Sequence, residues 1–90
     1  MNVQFDPDFT KKLKKQNAII RKSFKQRIII FSKNPNYPKL NNHPLKDRWK
    51  GYRSIDITAD WRAIYKEIQI NAEIAAYFIA IGTHKELYGQ

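Results

Sequence analysis

Apolar positions change their spacing near the middle of the chain. In the first third they recur at helical intervals. Phe9 and Leu13 lie four apart, and Ile20, Phe24, Ile28 and Phe31 return every three or four residues. Asp6-Pro7 reads as a helix start, with Asp6 as N-cap and Pro7 in the first turn, and Asn17 as the cap of a second helix. The intervening positions carry Lys11, Lys12, Lys14 and Lys15, then Arg21, Lys22, Lys25 and Lys33, so the expected helical hairpin buries an apolar stripe and shows a basic surface. Asn34-Pro35-Asn36-Tyr37-Pro38 ends the second helix, because both prolines disfavour continuation. A polar connection through Asn41, Asn42, His43 and Pro44 follows.

From Tyr52 the pattern becomes that of strands. The stretches 52–58, 61–70 and 74–81 are rich in β-branched and aromatic residues, separated by Ala59-Asp60 and by Asn71-Ala72-Glu73. Such short separators predict an antiparallel meander. With a short strand at Asn2–Phe5 and a helical turn at His84–Tyr88, the expected order is β-α-α-β-β-β plus a tail. The fold class is α+β, with the hairpin packed on one face of a small, mainly antiparallel sheet whose other face stays partly open. Ninety residues suffice for one domain and not for two, so a single domain over 1–90 is expected.

Composition narrows the function. There are no cysteines, which removes disulfides, thiolate nucleophiles and cysteine-based zinc sites, and suits a reducing cytoplasm, the expected location. No apolar run approaches the roughly 20 residues of a membrane span, and the polar start is unlike a signal peptide. No membrane partner is therefore expected. The net charge is +9, and its distribution says more than its size. Residues 1–50 hold thirteen Lys and Arg against three acids, whereas 51–90 hold four against five. That asymmetry favours a polyanion, since each cation at a phosphate releases condensed counterions.

Cutting RNA without a metal or other cofactor needs a group to take the 2′-hydroxyl proton, a group to protonate the leaving oxygen, and positive charge at the phosphorane. His43 and His84 are the only histidines, and imidazole titrates near neutrality. Either could also be an ordinary solvated side chain. His84 is the first choice for proton transfer, because it ends a strand beside Gly82-Thr83 and a rigid sheet can aim it. His43 is the second proton carrier or a phosphate donor. Asp60 could orient a histidine, act as base, or serve only as a turn residue. Arg62 could steady the phosphorane with its planar fork, or be an exposed strand arginine. Trp61 could stack on a base or belong to the core. Tyr88 could meet the phosphate, stack, or dock the tail on the sheet. Lys46, Lys50 and Arg53 are candidate phosphate contacts.

The runs Trp49-Lys50-Gly51-Tyr52-Arg53, Asp60-Trp61-Arg62-Ala63-Ile64-Tyr65 and Gly82-Thr83-His84-Lys85-Glu86-Leu87-Tyr88 resemble the RelE/ParE toxin superfamily. His43-Pro44-Leu45 and the Asp60-Trp61 pair make the chain most similar to the YafQ-type mRNA interferases within it. The resemblance implies the toxin of a type II toxin–antitoxin pair: a ribosome-dependent endoribonuclease that cuts mRNA in the A site and is silenced by a cognate acidic antitoxin. It implies messenger or ribosomal RNA as what Lys46, Lys50 and Arg53 reach, and makes the lysines of the first helix candidates for ribosome binding. It implies operator DNA as a partner only through the antitoxin complex. It also implies His43, Asp60, His84 and Tyr88 as the catalytic group. Tyr88 stands where YafQ-type toxins often carry Phe. Arg62 matches an arginine of RelE- and YoeB-type toxins that contacts the scissile phosphate, a residue absent from YafQ itself. Asp56 stands where YafQ has a functional histidine, which removes a proton carrier and adds negative charge. Two other functions fit the same fold: a ParE-like toxin that binds DNA gyrase without doing chemistry, and a plain RNA-binding module.

Overall fold

The computed structural model describes residues 1–89; Gln90, the last residue of the expected 1–90 domain, lies outside them. The elements are β1 (Asn2–Phe5), α1 (Pro7–Lys14), α2 (Ala18–Lys33), β2 (His43–Pro44), β3 (Arg53–Asp56), β4 (Trp61–Ile70), β5 (Glu73–Thr83) and α3 (His84–Tyr88). Short 3₁₀ turns occupy Pro38–Leu40 and Asp47–Trp49. The α+β class and the order of elements agree with the sequence pattern. Both expected helix starts form as read: the Asp6 side chain accepts from the Asp8 N–H, and that of Asn17 from the Ile20 N–H. No helix among the described residues is long and apolar enough to cross a membrane.

The sheet order is β1-β5-β4-β3-β2. All neighbours are antiparallel except β1, which runs parallel to β5 with Phe5 beside Phe78. Helices α1 and α2 bury their apolar stripe against one face. All five phenylalanines of the chain meet there with Tyr65, and Phe78 is the hub, with ring centroids 5.1–6.2 Å from those of Phe5, Phe9, Phe24, Phe31 and Tyr65. Tilted and edge-on pairs of this kind add to simple burial.

The structure differs from the pattern at the segment ends. The connection before residue 45 is not wholly irregular: His43 and Pro44 form β2, opposite Ser54 and Arg53. Strand β3 is shorter than the 52–58 stretch. Ile57 and Thr58 leave the ladder and turn their N–H groups onto the Trp61 carbonyl, at 2.9 and 3.3 Å. Strand β5 extends at both ends: at its start Asn71 accepts a left-handed φ of 57° and closes the β4–β5 hairpin over fewer residues than the pattern implied, and at its end Gly82 and Thr83 stay paired with Arg62 and Trp61.

Candidate active site

The open end of the sheet carries a shallow cavity of about 250 Å³, lined by His43, Leu45, Lys46, Asp47, Trp49, His84 and Tyr88. Both histidines, 41 positions apart in the sequence, therefore face the same space. An adjoining hollow shares Lys46, Asp47, Trp49 and Tyr88 and adds Arg48.

His43 is held by its strand and by its own ring. Its Nδ1 lies 2.7 Å from the Asn41 carbonyl oxygen. A carbonyl only accepts, so Nδ1 carries the hydrogen and the lone pair of the neutral ring sits on Nε2. The next residue anchors this loop. Asn42 Nδ2 donates to the Pro35 carbonyl at 2.9 Å and to the Tyr65 hydroxyl at 2.8 Å, while Asn42 Oδ1 accepts from Arg53 Nε at 3.0 Å and from Tyr65 at 3.2 Å. Burial pushes the Tyr65 phenol above its ordinary pKa, against the lowering influence of Asn42 and Arg53.

His84 opens α3, where β5 ends. Its backbone N–H donates to the Asp60 carbonyl at 2.9 Å. Thr83 and Glu86 close a capping box: the Thr83 hydroxyl accepts from the Glu86 N–H at 3.1 Å, and Glu86 Oε1 accepts from the Thr83 N–H at 2.8 Å. That backbone donor holds the Glu86 carboxyl below the usual range. The far end of α3 is fixed through the Leu87 carbonyl, which accepts from Arg48 Nη2 at 2.5 Å and Trp49 Nε1 at 3.0 Å. The Tyr88 ring meets the His84 ring edge-on at 4.6 Å, and its hydroxyl donates to Ser54 Oγ at 3.2 Å. Tyr88 thus docks the tail on the sheet and lines the cavity at once.

The other expected site residues lie elsewhere. Asp60 reaches His84 through its main chain, and its carboxylate is not among the cavity-lining groups. Arg62, the expected phosphate clamp, is turned onto its own connection. Nη1 donates to the carbonyls of Thr58 (2.9 Å) and Trp61 (3.0 Å), Nη2 donates to Ala59 (3.2 Å), and Nε lies 3.0 Å from Asp56 Oδ1. Three of its five N–H groups donate to its own turn and Nε is paired with Asp56, so the side chain staples the β3–β4 connection and does not line the cavity. The contact with Asp56 is an ion pair without a well-aligned hydrogen bond, since Oδ1 is buried and receives none. Trp61 is partly buried against the core cluster of Ala63 and Tyr65, on the opposite face of β4 from Arg62, and is not among the residues lining this cavity. Arg53 is tied to Asn42, and Lys50 is exposed at the end of the Asp47–Trp49 turn, so of the basic RNA contacts expected only Lys46 lines the cavity.

Sequence reasoning assigned no role to Asp47, Trp49, Asn42 or Ser54. Trp49 had a signal, as part of the quoted run ending at Arg53. The others had none, because their positions depend on contacts across the sheet.

A family model described as the bacterial YafQ toxin of type II toxin–antitoxin systems matches residues 1–89. The chain belongs to the YafQ toxin family. It is 29% identical over 86 residues to an mRNA interferase toxin YafQ of Escherichia coli strain B / BL21-DE3, covering 96% of this chain and 89% of that protein. The crystal structure of YafQ from E. coli BL21(DE3) superposes with a TM-score of 0.71 at 26% identity, over 98% of each chain. The toxin of an E. coli DinJ–YafQ complex gives 0.64 at 28% identity, again over 98% of both. Within the YafQ family frame, the sheet end that gathers His43, His84 and Tyr88 is the candidate active site of this chain.

Proposed function

We propose that this YafQ-family toxin cleaves messenger RNA by metal-free acid–base catalysis in the cavity between β2 and α3. The observation that carries the reading is the convergence of two imidazoles and Lys46 on one open hollow. A protein that only binds a partner has no chemical need for that grouping. The mRNA interferase activity of the relatives supports it.

In this mechanism His43 Nε2 is the base, because its other nitrogen is committed to Asn41. It takes the 2′-hydroxyl proton as the 2′-oxygen attacks the adjacent phosphorus. The imidazolium of His84 gives a proton to the departing 5′-oxygen. The products are a 2′,3′-cyclic phosphate and a 5′-hydroxyl, and the step leaves His43 protonated and His84 neutral. Lys46 offsets charge on the phosphorane oxygens, the role Arg62 is too engaged to fill. Each positioned proton-transfer group contributes about 10²–10⁴ in rate. The substrate is mRNA in the ribosomal A site, and the exposed Lys11 and Lys14 of α1, with Lys15 at its C-cap, meet ribosomal RNA. A cognate acidic antitoxin neutralises the basic surface, in keeping with the DinJ–YafQ complex among the relatives. Operator DNA is met through that complex.

The test is to map RNA ends after brief induction of wild type and of His84→Ala. Cuts confined to translated frames, absent from a variant whose circular dichroism is unchanged, are expected. Undiminished cutting by the variant would refute the role of His84. Intact mRNA together with double-strand DNA breaks would return the reading to a gyrase-binding toxin.

A further inference from the structure

Ser54 is the one polar residue fully buried among the described residues. A buried hydroxyl is costly unless partnered, and alanine would fill nearly the same space. Its recorded partner is the Tyr88 hydroxyl, at 3.2 Å. Two further relations meet at this residue. Across the β2–β3 pair, the register sets Ser54 opposite His43. Across the cavity, the Tyr88 ring that Ser54 holds lies edge-on against His84, 4.6 Å between centroids at 67°. The main chain of Ser54 is thus fixed to the strand bearing one imidazole, while its side chain fixes the ring against the other.

We propose that Ser54 is a positioning residue which, through Tyr88, sets the His84 imidazole at its working place relative to His43. Ser54 does not line the cavity and touches no substrate. The phenol is its lever. Tyr88 is the last residue of the short α3, four positions after His84, and a five-residue helix holds a ring poorly unless something outside the helix anchors it. The Leu87 carbonyl, gripped by Arg48 and Trp49, anchors the backbone of that turn, and the Ser54–Tyr88 bond adds the rotational constraint on the side chain. Misplacing a catalytic group by about an ångström costs on the order of a hundredfold in rate, so a lost constraint of this kind reads out in turnover before it reads out in binding.

The inference rests on the ribonuclease reading for its kinetic consequence, and the experiment separates the two. Ser54→Ala and Tyr88→Phe each remove the same hydrogen bond from opposite sides, and Ser54→Thr keeps the hydroxyl. Cleavage of a short mRNA on programmed ribosomes is measured alongside the NMR shifts of the His84 ring protons in the free protein, which the Tyr88 ring current displaces. Both bond-breaking variants are expected to lose about tenfold or more in kcat with KM within twofold, and to move the His84 resonances in the same direction. The double variant should be no worse than either single one, because both break one interaction. Ser54→Thr should recover turnover. Unchanged His84 resonances in both bond-breaking variants would overturn the proposal, as would losses that multiply in the double variant. If wild type cuts no RNA, the ribonuclease reading fails, and the resonances alone decide whether Ser54 places His84.

Discussion

Replacing Asn42 by alanine tests how the loop bearing His43 is tied to the sheet. The side chain makes four hydrogen bonds: to the Pro35 carbonyl (2.9 Å), from Arg53 Nε (3.0 Å), and two with the Tyr65 hydroxyl (2.8 and 3.2 Å). Pro35 and Arg53 are only partly buried, so water can replace what they lose, at a cost near the low end of about 0.5–1.5 kcal/mol each. Tyr65 is different, being 1% exposed. Both hydrogen bonds of its hydroxyl are with Asn42, and a buried hydroxyl left unpartnered costs about 1–3 kcal/mol. Together the loss is about 2–4 kcal/mol, or roughly 10–25 °C in Tm for a domain of this size. Thermal unfolding followed by circular dichroism measures it. The decisive comparison is Asn42→Ala/Tyr65→Phe, which removes the orphaned hydroxyl and should regain about 1 kcal/mol over Asn42→Ala alone. A single variant within about 0.5 kcal/mol of wild type would refute the reasoning, as would a double variant with no recovery. Below Tm, mRNA cleavage by Asn42→Ala should fall further than the folded fraction does, because His43 loses its anchor.

Three other outcomes follow from the same structure. Arg62→Lys should lower stability by about 1–2 kcal/mol, since an ammonium cannot span the carbonyls of Thr58, Ala59 and Trp61, while turnover of the folded fraction stays within a few-fold; loss of cleavage at full stability would restore Arg62 to the phosphate. Lys46→Ala should cut turnover and lower the slope of log affinity against log salt by about one phosphate contact, with an unchanged slope counting against that contact. Glu86 has a folded pKa below its unfolded value, so its contribution is complete above the unfolded pKa and is lost as pH falls through the lowered folded one; stability titrated over that acidic window should lose its Glu86 component in Glu86→Gln, and an identical profile in the variant would refute the capping role.

The pattern of residues determined the elements that depend on near neighbours. Asp6 and Asn17 cap their helices through bonds two or three residues away, and the phenylalanine spacing told which stripe the helices bury. These are local properties, legible because a helix repeats every 3.6 residues and a strand every two. The motif around His84 and His43 likewise announced a family and two candidate proton carriers. The pattern could not say where Arg62 and Trp61 point, since both faces of β4 carry apolar residues. Only the packed sheet decided that, turning Trp61 onto the core and folding Arg62 back on its own turn against Asp56. The gathering of His43 and His84, and the parts given to Asn42, Ser54 and Trp49, come from contacts 11 to 38 residues apart in the chain. No periodicity encodes such separations. They exist only once the β2–β3 register and the docking of α3 have been set by burial of the core.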